Sequence, residues 1–149
     1  MLNFETPEKI IESPDLLMRI FEESARLKIP LSAEAKRLVR DFLSQVNAKF
    51  RKAEPIVKSF ERILAAPAPK FNVLNEMLNT GFLVRFIPEF RSIINRIQYD
   101  EYHLYPVDKH LLRTVKTVKN FGTATDSSLE PLCGQIYGEL KNKSPLIWA

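Results

Sequence analysis

The chain of 149 residues has little of several things, and each scarcity excludes something. It has one cysteine, Cys133, so an internal disulfide and a multi-cysteine zinc site are both ruled out. It has only four glycines. A hairpin-rich β protein needs many residues with positive φ at its turns, so an all-β fold is disfavoured. No apolar run approaches the roughly 20 residues that span a bilayer. The start, Met1-Leu-Asn-Phe-Glu, lacks the basic and apolar regions of a signal peptide, and a soluble, cytoplasmic protein with no membrane contact is expected. The 22 basic and 18 acidic residues leave a net charge of only +4, with the signs interspersed. That balance argues against nucleic-acid binding, which calls for a stronger, clustered excess. There is no glycine-rich phosphate loop, nucleophile elbow or pair of carboxylates in a catalytic motif.

What remains is helical periodicity punctuated by ten prolines. Ser13-Pro14-Asp15 suits a helix start, followed by Leu17, Ile20, Phe21, Ser24 and Leu27 on one face up to Pro30. Ser32 can cap a second helix carrying Ala35, Leu38, Val39, Phe42, Leu43 and Val46. A third runs from about Ala53 to Ala66, with Ile56, Val57, Phe60, Ile63 and Leu64 inward, and Pro67-Ala68-Pro69 stops it. Asn72 can cap a short helix, and Gly81 sits where a helix-ending glycine belongs. Pro88-Glu89 can open a segment with Phe90, Ile93, Ile94 and Ile97 inward. Pro106 starts a helix with a stripe of Val107, Leu111, Val115 and Val118, ending at Gly122. A last full helix covers Leu129 to Lys141, with Leu132, Cys133, Ile136, Tyr137 and Leu140 inward. The apolar ending Pro145-Leu-Ile-Trp-Ala149 reads either as the beginning of another helix, cut short, or as a C-terminal Trp that folds back onto the core. The expected fold class is therefore all-α: an irregular helical bundle of about seven helices with no significant sheet.

Reactive side chains concentrate between Gly81 and His110. Both histidines, His103 and His110, lie there, with Asp100, Glu101, Asp108 and three of the four tyrosines. His110 borders the apolar stripe near a helix N-terminus, a position open to a metal ligand, a general base or a packed, hydrogen-bonded residue. Asp100, His103 and Asp108 are candidates for orienting an imidazole or for purely structural roles. Two histidines and a distant cysteine do not make a zinc site, which argues against a small, complete hydrolase. Lys109, Arg113, Lys116 and Lys119 recur every three or four residues. They form either a solvated face or a surface contacting phosphate or an acidic partner.

The same region carries a resemblance. The pattern Gly81-x-Leu83, Pro88-Glu89-Phe90, Gln98-x-Asp100-x-x-His103-x-Tyr105 and Val107-Asp108-x-His110 resembles the bacterial bifunctional uridylyltransferase/uridylyl-removing enzymes that modify the PII signalling protein. Pro106 and Lys109 depart from that pattern, which usually has Thr and an acidic residue there. The resemblance implies that residues 1–97 are the helical region following a nucleotidyltransferase core. It implies that residues 98–149 are a junction and the truncated start of an HD-type phosphohydrolase domain, in which His110 matches the first metal-binding histidine. The remaining ligands of both active sites would lie outside these residues. The implied parent uses UTP, PII and a divalent metal, Mg2+ or Mn2+, in nitrogen regulation. The fragment itself would need no cofactor and would be an inactive connector whose partner is the rest of the enzyme. The other reading is a stand-alone helical module that binds an acidic protein or nucleotide through the basic face.

Overall fold

A computed structural model describes residues 1–67, 71–96, 106–121 and 131–148. These residues are helical, and no strand occurs among them; one parallel bridge pairs Leu2 with Leu31. The α-helices are α1 (Lys9–Glu12), α2 (Leu16–Leu27), α3 (Ala33–Asp41), α4 (Ala48–Lys52), α5 (Glu54–Ala65), α6 (Val73–Asn79), α7 (Phe82–Phe86), α8 (Val107–Asn120), α9 (Pro131–Glu139) and α10 (Ser144–Trp148). Two 3-10 turns, Leu43–Gln45 and Pro88–Ile93, join them. The all-α expectation holds.

Local chemistry explains most boundaries. Ser32 accepts a hydrogen bond from the Ala35 N–H at 3.0 Å, and Asn72 accepts one from the Leu74 N–H at 3.2 Å, so both serve as helix caps. Gly81 adopts φ 80, which a side chain would strain, and its N–H reaches the Leu78 carbonyl at 2.9 Å. Pro55 lies in the first turn of α5, where a missing N–H costs nothing. Four expectations need correction. Leu27 is exposed rather than inward, because α2 ends there and Lys28 turns left-handed at φ 59. The segment after Pro88 is a short 3-10 turn that buries Phe90 and packs Ile93 and Ile94 partly buried against the core, and Asn95 at φ 52 diverts the chain beyond it; Ile97 lies outside the described residues. The α3 run stops at Asp41, and Val46 is buried from the loop beyond the first 3-10 turn. In α9, Leu132 and Ile136 face solvent. Gly134 and Tyr137 occupy the packed side instead: a Cβ on Gly134 would come within 3.3 Å of the Phe121 carbonyl, and the Tyr137 and Phe121 rings lie 6.1 Å apart.

The core is one cluster built on α2 and α5, with α4, α6, α7, α8 and α10 packed around them. Its centre is aromatic. Phe82 lies 5.0 Å from Phe21, 6.3 Å from Phe50 and 6.0 Å from Phe86 between ring centroids, and Phe60 lies 5.0 Å from Phe86. Tilted, edge-to-face and stacked pairs of this kind add to simple burial. At the rim, Glu22 on α2 accepts from Ser59 and from the Arg62 guanidinium on α5, with Arg62 Nη2 at 3.1 Å. The Arg62 hydrogen bond holds the Glu22 carboxyl below the usual carboxylate range. Helices from both sides of residue 97 share this core, since Leu112 and Ile147 belong to it. The helix expected at Pro145-Leu-Ile-Trp is present as α10, against α5 and α8.

Candidate functional site

Helix α8 carries most of the candidate residues, and its orientation decides what each can do. Its backbone start is fixed by the Val107 N–H on the Arg96 carbonyl at 3.0 Å and the His110 N–H on the Pro106 carbonyl at 2.9 Å. The inward face is only in part the valine stripe: Val115 and Val118 pack partly buried against the core, but the fully buried residues lie to one side of it. Asp108 is 1% exposed, Leu112 4% and Lys119 4%, whereas Leu111 is 40% exposed. The buried line therefore runs Asp108, Leu112, Val115, Lys119, at spacings of four, three and four. It is turned by about one residue, or roughly 100°, from the expected stripe.

Two polar contacts hold that rotation. The Asn72 side chain, while capping α6 through its oxygen, donates through Nδ2 to the Leu112 carbonyl at 3.4 Å. Lys119 donates through Nζ to the Ile63 carbonyl at 2.9 Å. That carbonyl is available because its ordinary helical donor would be residue 67, which is Pro67 and has no N–H. Lys119 thus caps the C-terminal end of α5 across 56 positions of sequence. Its cation also sits at the negative end of the helix dipole. Burial pushes the amine down to about 8 from an ordinary 10.5.

The expected basic face is consequently smaller. Lys109 and Arg113 are exposed and Lys116 is half-buried, all on one side of α8. Lys119 is removed from that face and serves the core. Angularly it falls between the two faces, and its long apolar stem allows the charge to reach inward. Two residues from the buried Asp108, His110 is exposed. The Asp108 Oδ1 is buried and makes no hydrogen bond. Asp100 and His103 lie outside the described residues, so the structure describes only Asp108 and His110 of the four. No group of three His, Cys, Asp or Glu side chains that could hold a metal occurs among the described residues. His110 and Asp108 alone do not fit a metal site, and no step through a metal is derived. The cavity beside α8, about 350 Å³, is bounded by α5, α6, α7, α8 and α10; among the described residues Thr114 is the one polar side chain lining it. It carries no acid, base or nucleophile. No helix among the described residues is long and apolar enough to cross a membrane.

Sequence reasoning missed the Lys119–Ile63 link. The available signal was Pro67, which leaves the carbonyl of Ile63 without a backbone donor.

The fold and the α8 geometry define an all-α helical unit without a complete catalytic constellation among its described residues. The chain is similar to a segment of bacterial proteins named bifunctional uridylyltransferase/uridylyl-removing enzyme. It is 30% identical to the one from Methylococcus capsulatus over 112 residues, which is 75% of this chain and 13% of that protein. Identity is 27% over 135 residues, 91% of this chain and 15% of the relative, for Novosphingobium aromaticivorans. It is 29% over 130 residues, 86% of this chain and 15% of the relative, for Burkholderia orbicola. The chain thus spans about one seventh of the length of these relatives. No family model matches it, and no solved structure matches it.

Proposed function

We propose that this chain is the helical connector of a uridylyltransferase/uridylyl-removing enzyme and has no activity alone. The observation that carries this reading is the similarity to such enzymes along 75% to 91% of the chain. In this reading residues 1–97 follow a nucleotidyltransferase core and residues 98–149 begin an HD-type hydrolase domain. The whole enzyme transfers a uridylyl group from UTP to PII in nitrogen signalling and removes it again, in the cytoplasm, with a divalent metal such as Mg2+ or Mn2+. This chain contributes His110 as one metal ligand, with Asp100, His103 and Asp108 as candidates for orienting it or for structural roles. The packing of α8 and α10 on α5 supports the connector role, because it joins the two parts through one core.

The isolated chain, incubated with PII, radiolabelled UTP and Mg2+, is expected to transfer no label above the protein-free control. Labelled PII that disappears with a heat-treated sample would contradict the reading.

The other reading, a module docking an acidic protein or nucleotide, is favoured only by the exposure of Lys109 and Arg113 on one side of α8. Burial of Lys119 removes one of its four proposed contacts.

A further inference from the structure

Three arginines on three different elements line one cleft of about 420 Å³: Arg51 on α4, Arg85 on α7 and Arg91 on the second 3-10 turn. Each is the immediate neighbour of a buried phenylalanine, in the pairs Phe50-Arg51, Arg85-Phe86 and Phe90-Arg91. The Phe50 and Phe86 rings meet edge-to-face with centroids 6.5 Å apart. Anchoring these rings in the core fixes the backbone beside them, and so sets where each arginine stem begins. The clustering therefore follows from core packing.

Among the described residues no carboxylate lines the cleft. Among the described residues none of the three guanidinium groups is ion-paired, although Arg26, Lys36, Lys58 and Arg62 all have acidic partners. The Arg51 Nε is buried and makes no hydrogen bond. A buried donor without an acceptor is costly and rare. Three like charges facing one cavity also repel one another unless an anion lies between them. Guanidinium groups bind phosphate oxygens through paired donors, which makes arginine the favoured residue for this task. Val46, Val84 and Pro88 supply an apolar wall, and the volume is that of a small-molecule site.

We propose that this cleft binds a small polyphosphate anion, held by Arg51, Arg85 and Arg91. The inference rests on these residues alone and is independent of the connector reading. The ligand is either a free polyphosphate or the phosphate chain of a nucleotide.

The test is calorimetric titration of the full 149-residue chain with inorganic phosphate, pyrophosphate, tripolyphosphate and ATP at about 150 mM salt. Saturable binding is expected, tighter for tripolyphosphate than for inorganic phosphate. Arg85→Gln and Arg91→Gln change exposed side chains, and circular dichroism verifies their folding. Each should weaken binding roughly tenfold. Lys58→Gln, outside the cleft, should leave it unchanged. ATP binding more tightly than tripolyphosphate assigns the apolar wall to a nucleoside; equal binding assigns the site to phosphate alone; either supports the proposal. No saturable binding, equal loss in Lys58→Gln, or tighter binding of an oligoglutamate peptide than of tripolyphosphate would overturn it.

Discussion

Phe82→Ala is expected to lower the unfolding free energy by about 3–5 kcal/mol, the usual cost of emptying a fully buried aromatic position. Phe82 has no exposure and touches the rings of Phe21, Phe50 and Phe86, so its removal opens a cavity between α2, α4 and α7 at once. Relaxation is limited because Gly81 directly precedes it. That residue is held at φ 80, and a Cβ there would lie 3.3 Å from Leu43 Cδ1. Domains of this size are stable by only about 5–15 kcal/mol, so the variant should be close to unfolded at 37 °C. Phe82→Leu, which keeps most of the volume, should lose no more than about 1.5 kcal/mol. Urea denaturation followed by circular dichroism measures both. A loss below about 1 kcal/mol for Phe82→Ala would mean that the aromatic cluster is not the centre of the core.

The second large effect is a pH dependence carried by Lys119. Its folded pKa is about 8, below the ordinary 10.5 of the unfolded chain. Below pH 8 the amine is charged in both states, and folding bears the full cost of burying that charge. Between about 8 and 10.5 the unfolded chain binds the extra proton, so stability must rise with pH across this window. At about 1.4 kcal/mol per pH unit the rise is bounded at about 3 kcal/mol. The neutral amine still donates to the Ile63 carbonyl, so the α5 cap survives. Other lysines and tyrosines also titrate there, and Lys119→Met isolates the effect. The stability of the parent chain relative to this variant should climb by up to about 3 kcal/mol from pH 8 to pH 10.5. A difference that stays flat across the window would remove Lys119 from the core.

These two residues also mark how far the sequence could be read. Boundaries set by one residue were legible: Ser32 and Asn72 as caps and Gly81 as a left-handed stop each act through their own local chemistry. Apolar stripes were legible where the inward residues are apolar or small, as in α2 and α5, whose only buried polar residues are Ser24 and Ser59. Helix α8 was not, because its inward face includes Asp108 and Lys119, which any hydrophobic pattern assigns to solvent. Its rotation depends on the Ile63 carbonyl, which Pro67 leaves without a donor, and no local window contains both partners. Helix α4 spans five residues, too few to show a period, and so the grouping of Arg51 with Arg85 and Arg91 could not be read either. At the candidate site, His110 was expected to border the apolar stripe, but it is exposed, because the buried line of α8 runs through Asp108 and Leu112. The basic face was overcounted by Lys119, whose stem reaches inward.

The central claim is that this chain is the counterpart of a helical segment in a uridylyltransferase/uridylyl-removing enzyme. The most direct measurement replaces the matched segment of the Methylococcus capsulatus relative with the 112 matching residues of this chain and assays uridylyl transfer. The account predicts a folded chimaera that retains measurable transfer, while an unrelated helical bundle of equal length in the same place abolishes it. A chimaera that fails to fold, or one that folds and transfers no more than the unrelated-bundle control, would contradict the claim.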